Sequence, residues 1–210
     1  MVMAKKSAKE QEPMKLFYIF YSDERWNNWL STLREADFEG DADAEEMPEG
    51  FRMLQSFVED ITISVLKIVK LYQNERFSKD EAIEKIGVVE GIVMADLPED
   101  DDLCGIVGGM QLSLLPLFAS CRAFLQEEYE GDAKALVKDG RKIAEENPEE
   151  ALMMAAKIGA QIIDGGKFSA TWLKTKDEPT IFDEWLAEIE TMSEAVKSLK
   201  KFDEEPGDAS

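Results

Sequence analysis

The sequence predicts an all-α protein, a multi-helix bundle of about seven or eight helices around a buried central helix near residues 103–128. Three observations support this prediction. Apolar residues recur at helical spacing in successive segments, helix-capping residues precede most of these segments, and residues 103–121 carry no charged side chain. One short extended segment is expected before the first helix, at residues 16–21.

The first two helices are indicated by a cap and by a heptad pattern. Ser22 can cap a helix that ends near residues 38–40. The second helix is expected over residues 50–74, where apolar side chains follow heptad spacing: Phe51, Leu54, Val58, Ile61, Val65, Ile68 and Tyr72. Other apolar residues widen this stripe beyond that of a two-stranded coiled coil, so we interpret the segment as a central helix of a bundle.

Small residues recur at every fourth position in the next two helices. Ser78 and Glu81 form a capping box for a helix over residues 79–95. The small residues are Gly87, Gly91 and Ala95, followed in the apolar segment by Gly105, Gly109 and Ser113. Such stripes allow close helix approach, so we expect these two helices to pack against each other. The apolar segment 103–121 could also span a membrane, but its polar residues and acidic flanks favour a buried helix.

Three further helices and the domain limits complete the expected organisation. Asp132 can cap a helix ending near residue 146, Asn147 and Pro148 begin the next one, and Thr180 begins the last. We expect a disordered arm over residues 1–13, a single helical domain over 14–202, and a disordered acidic tail over 203–210. The C-terminal helix, within 175–202, could be peripheral to that domain.

Composition excludes several classes of function. The net charge of −21 repels nucleic acid and anionic lipid, and no local basic patch is evident; the densest basic cluster is Lys5, Lys6 and Lys9. We therefore expect neither a nucleic-acid nor a membrane partner. The absence of histidine removes Ser-His-Asp and Cys-His catalysis and imidazole metal ligands. No cofactor is expected, and two cysteines without a CxxC motif favour a cytoplasmic location.

Two acidic segments are candidate cation sites. Glu145, Glu146 and Glu149 spell EExxE, a motif with which all-α nucleotide pyrophosphohydrolases bind Mg²⁺. Pro148 interrupts the motif and no ExxD follows within the usual interval, so a Mg²⁺-dependent nucleotide hydrolase is only the second hypothesis, and no catalytic residue is assigned. The loop 39–50 fails the EF-hand pattern at Glu46 and Arg52, which favours a solvated acidic loop and leaves cation binding open.

The leading hypothesis is a non-enzymatic protein-interaction or adaptor module. Its candidate partner-binding residues form the apolar stripe of the C-terminal helix: Phe182, Trp185, Ile189, Met192, Val196 and Leu199. The alternative is that this stripe packs in the core. A protein partner is expected, and the charge favours a basic one; a homodimer is a further alternative. A third hypothesis is an acidic inhibitor that mimics nucleic acid.

Residues 20–29, FYSDERWNNW, are followed by a long apolar helix and an acidic tail. In this respect the chain resembles an uncharacterised archaeal family of small acidic helical proteins, a domain of unknown function. The resemblance covers most of the chain and implies a helical fold in an archaeal cytoplasm. It implies no activity.

Overall fold

The computed structural model describes residues 20–39, 47–174 and 178–204, which form seven α-helices, one short 3₁₀ helix and no β-strand. The predicted all-α class is therefore confirmed. The arm 1–13, most of the segment 16–21 and the centre of the acidic loop lie outside the described residues. The helices are α1 (Asp23–Glu35), α2 (Glu49–Gln73), α3 (Lys79–Val93), α4 (Cys104–Gln126), α5 (Ala133–Ile143), α6 (Pro148–Ile163), the 3₁₀ helix (Ala170–Leu173) and α7 (Ile181–Glu204).

The predicted caps at Ser22, Ser78, Asp132 and Asn147 are confirmed. Ser22 accepts a hydrogen bond from the backbone N–H of Arg25, and Asp132 and Asn147 act in the same way at the starts of α5 and α6. Ser78 accepts from the N–H of Glu81 at 3.3 Å, while the Glu81 carboxylate accepts from the N–H of Ser78 at 2.8 Å. Each cap satisfies an N–H that has no partner within its own helix, which explains why local sequence located these helix starts.

Helix α4 lies at the centre of the fold and packs against α2, α3, α6 and α7. Its side chains Leu114, Phe118, Cys121 and Leu125 are fully buried. A central buried helix is thus present as predicted, although the first half of α4 keeps one side exposed, at Gly105, Gly109 and Leu112. By length and composition α4 could cross a membrane, but a core helix of a soluble protein meets the same criterion.

The most extensive contact between described helices is that of α4 with α6. A Cβ added to Gly159 of α6 would lie 2.7 Å from the Cβ of Ser120 on α4, closer than carbon atoms can pack, and would also crowd Met192 of α7. Gly140 of α5 is similarly covered by the ring of Phe182 of α7. Because these two positions have no side chain, the backbone of α6 lies directly against side chains of α4 and α7, and the backbone of α5 lies against a side chain of α7.

The predicted glycine contact between α3 and α4 is wrong. In the described structure a Cβ at Gly87, Gly91, Gly105 or Gly109 would meet no atom of a neighbouring element within 4 Å. The two helices do pack together, but α3 buries the face that carries Ala82, Ile86, Val89 and Val93. Fourfold spacing places the small residues on one face of a helix without saying which face turns inward.

Arginine–carboxylate pairs connect the helices across the bundle surface. They are partly exposed, so each contributes orientation more than stability. The Arg122 guanidinium of α4 donates hydrogen bonds to both carboxylate oxygens of Glu90 on α3. This two-point contact fixes the relative orientation of the two side chains better than a single hydrogen bond does. The pairs between elements are Arg25–Asp60, Arg34–Asp101, Arg122–Glu90 and Arg141–Asp183.

Substitution of two glycines by alanine should have opposite effects on stability. Gly159→Ala is expected to lower the free energy of unfolding by about 1–3 kcal/mol, because α4 and α6 must move apart. Gly91→Ala adds a methyl group in open space and should raise it by roughly 0.5–1 kcal/mol through the higher helix propensity of alanine. Urea denaturation of both variants checks this pair; a loss of stability in Gly91→Ala as large as that in Gly159→Ala would contradict the assignment.

Candidate functional site

The apolar stripe of the C-terminal helix lies mainly inside the bundle. Phe182, Trp185, Ile189 and Met192 are each at most 3% exposed, and the Nε1 of Trp185 donates a hydrogen bond to the carbonyl oxygen of Leu112 at 3.1 Å. Val196 and Leu199 are partly buried against the same core. The four buried side chains are therefore not accessible to a partner in this structure, which corresponds to the core-packing alternative.

The acidic EExxE segment does not assemble a site. Glu145 and Glu146 lie in the turn after α5, Glu149 lies in the first turn of α6, and all three side chains are exposed. Across the described ranges, no group of three or more cysteine or acidic side chains is placed to hold a metal ion. The hydrolase hypothesis thus finds no carboxylate cluster in this part of the chain.

An open apolar surface is found instead along the first half of α2. The heptad stripe of α2 is buried from Ile61 to Ile68, whereas Leu54 and Val58 are only partly buried and Phe51 is 44% exposed. Ile63, on an adjoining face, is 37% exposed. The stripe that the sequence pattern assigned to the centre of the bundle therefore leaves the core at its N-terminal end.

This surface forms the wall of a groove between α2, α4 and α7, here named the α2–α7 groove. It consists of two adjoining cavities of about 360 and 380 Å³ that share Gln55, Glu59 and Thr191. Gly109 and Ser113 of α4 lie in the wall, where short side chains leave space unfilled. The remaining lining residues are Met47, Phe51, Leu54, Val58, Thr62, Ile63, Met110, Glu188, Glu194, Ala195 and Ser198.

Among the described residues, the charged groups that line the groove are all acidic: Glu59, Glu188 and Glu194. Glu194 is paired with Lys197 at 2.6 Å, and Glu59 accepts a hydrogen bond from Gln55. Glu188 makes no hydrogen bond or ion pair with the described residues, and burial raises its pKa from 4.5 to about 7. The groove therefore presents apolar walls and one carboxylate, that of Glu188, with neither a hydrogen bond nor an ion pair to the described residues.

Sequence reasoning missed this site. Its one sequence signal is Glu188 itself, an acid that adjoins Ile189 and follows Trp185 by three residues within the stripe of α7. An acid inside an apolar stripe is either paired or located at the edge of the core. The groove additionally depends on how α2 and α7 lie on α4, which no local pattern specifies.

Removal of the Glu188 charge should change the pH dependence of stability. Because the folded protein binds the Glu188 proton more tightly than the unfolded chain, the stability contributed by this group is present below pH 4.5 and is lost as pH rises through 7. Glu188→Gln should therefore stabilise the protein relative to wild type by about 1–3 kcal/mol more at pH 8 than at pH 4.5. Urea denaturation at the two pH values measures this difference.

The control for that measurement is Glu184→Gln, which removes an exposed carboxylate from the same helix. An equal pH-dependent gain in both variants would attribute the effect to total charge and contradict the assignment to Glu188.

Comparison with known proteins identifies the family. No curated protein matches the chain, and no solved structure matches it. One family model matches residues 19–205, nearly the whole chain, and describes an uncharacterised protein conserved in archaea. The resemblance noted from residues 20–29 is confirmed. The chain belongs to this archaeal family, DUF2150.

Proposed function

We propose that this protein is a non-enzymatic interaction module that docks a basic, amphipathic helix of another protein in the α2–α7 groove. The observation that carries the proposal is the combination of an open apolar groove with an unpaired carboxylate, Glu188, in its lining. The proposed setting is the cytoplasm.

The shape of the groove suits a helix. From Phe51 to Ile63 the wall follows α2 for 12 residues, which corresponds to roughly 18 Å, or about three turns of a docked helix. Helix-in-groove complexes place apolar side chains at i, i+3, i+4 and i+7 into such pockets. Met47, Phe51 and Ile63, the exposed apolar side chains of the groove, would be removed from water by this contact.

The charge of the groove favours a basic partner. A lysine or arginine next to Glu188 would supply the counterion that the described structure lacks, while a neutral or acidic segment would leave a buried carboxylate unpaired. The net charge of −21 also attracts a basic partner at long range. A second copy of this chain would bring its own acidic groove and the same net charge, which disfavours a homodimer through this face.

A photo-crosslinking experiment tests the identity of the occupant. A photoreactive phenylalanine analogue at Phe51 should crosslink, in native lysate, to a peptide with a helical apolar stripe and at least one lysine or arginine. Crosslinking should be abolished by Ile63→Glu, which places a charge in the apolar wall. Val88→Glu is the matched control, since Val88 is 51% exposed on α3 and lies outside the groove lining.

Three outcomes would overturn the proposal. They are a crosslink to a second copy of the chain, a crosslink to an acidic or extended peptide, and equal crosslinking in Ile63→Glu and wild type.

The pH dependence of partner binding supplies an independent prediction. A cation beside Glu188 lowers its pKa below the value of about 7 in the free protein, so binding releases a proton. Affinity should therefore rise between pH 6 and pH 8 and level off above the free-state pKa. Isothermal titration calorimetry in buffers of different ionisation heat measures the released proton; the same release in Glu188→Gln would contradict this mechanism.

A further inference from the structure

A second cleft in this acidic protein is lined by positive charge. It lies between α5 and the 3₁₀ helix, has a volume of about 760 Å³, and none of the described residues that line it is acidic. Its charged lining residues are Lys134, Lys138, Arg141 and Lys142, and its other lining residues are Val137, Ser169, Thr171 and Trp172. The absence of a basic patch inferred from the linear sequence is thus wrong. Folding joins one face of α5 to a segment about 30 residues further along the chain.

The lysines of α5 that line the cleft repel one another. Lys134, Lys138 and Lys142 follow one another at intervals of four residues, where like charges repel across one helical turn. Lys134 is also in the first turn of α5, at the positive end of the helix dipole. Lys134 and Lys138 are exposed and make no ion pair or hydrogen bond with the described residues. Their charges therefore remain available to an anion.

Arg141, which also lines the cleft, is neutralised by Asp183 and fixes the cleft walls relative to each other. Arg141 donates to the Asp183 carboxylate at 2.6 Å and to the carbonyl oxygen of Trp172, and so connects α5, α7 and the 3₁₀ helix. Burial alone would raise the pKa of Asp183, but hydrogen bonds from Thr180 and Arg141 lower it. The carboxylate that pairs with Arg141 therefore stays ionised. Lys142 has only an exposed contact with Asp139 at 3.4 Å. Positive charge thus exceeds negative charge on this wall.

The opposite wall offers groups that suit an organic anion. Trp172 packs edge-on against Phe168 with ring centroids 5.2 Å apart, which restrains the indole ring. The hydroxyl groups of Ser169 and Thr171 lie 2.7 Å from each other at the rim. A cleft that combines lysines with an aromatic ring and hydroxyls matches the parts of a nucleotide, and its volume lies in the range of small-molecule sites.

We propose that this cleft binds a nucleoside polyphosphate, with the phosphates at Lys134, Lys138 and Lys142 and the base against Trp172. The net charge of −21 decides between a small and a polymeric anion. A long nucleic acid would extend over the acidic surface around the cleft and be repelled, whereas a small anion meets only the local cations. The proposal concerns binding only, and it is independent of the protein-interaction function proposed for the α2–α7 groove.

Calorimetric titration of the full chain with ATP, inorganic triphosphate and adenosine, without divalent cations and at low salt, tests this assignment. ATP is expected to bind with a dissociation constant below about 1 mM, and Lys134→Gln/Lys138→Gln should weaken it by about tenfold or more. Because both lysines are exposed, lack partners in the described structure and repel each other along α5, this variant should be at least as thermally stable as the wild type. Lys67→Gln/Lys85→Gln, on α2 and α3, removes the same charge elsewhere and should leave ATP binding unchanged.

The comparison ligands define what would overturn the proposal. Tighter binding of ATP than of inorganic triphosphate, with no heat from adenosine, supports a nucleoside polyphosphate. Equal affinity for ATP and triphosphate would overturn the nucleoside assignment. No binding of either anion, equal loss in the control variant, or tighter binding of a single-stranded RNA with the same number of phosphates would overturn the site as proposed.

Discussion

The uncharged segment of α4 is the constraint on which the rest of the structure depends. A helix with nineteen successive uncharged residues, Leu103–Cys121, must be enclosed, and the chain encloses it with α2, α3, α6 and α7. The enclosure is complete around Phe118 and Cys121 but incomplete around Gly109 and Leu112, which is 53% exposed. The α2–α7 groove lies at this incomplete end. The groove is therefore a direct consequence of how far α4 is covered.

Local chemistry explains which parts of the fold could be predicted. A cap such as Ser22, or the reciprocal pair Ser78 and Glu81, satisfies backbone N–H groups of its own helix, so its signal is complete within four residues. The direction in which a helix face turns depends on other helices and carries no such signal. For this reason the glycines of α3 and α4 were assigned to a contact, although they lie on open surface.

The candidate sites were less predictable than the fold because both arise from the distribution of charge after folding. A net charge of −21 describes the average surface and conceals the lysines that α5 gathers on one side. Conversely, Glu188 is one of 45 acids, and its position in the apolar stripe of α7 indicates a groove only once α7 is packed on α2. Helix α7 contributes to both regions, since Asp183 anchors the basic cleft and Glu188 lines the acidic groove.

The contact between Ser120 and Gly159 has a consequence for the evolution of this family. The Ser120 hydroxyl is buried without a hydrogen-bond partner in the described structure, and the space beside it exists only because position 159 has no side chain. A side chain at position 159 requires glycine at position 120 or a shift of α6, and a larger residue at position 120 requires such a shift, because glycine is already the smallest residue. Positions 120 and 159 should therefore vary together among archaeal relatives, and an alignment in which they vary independently would indicate a different spacing of α4 and α6.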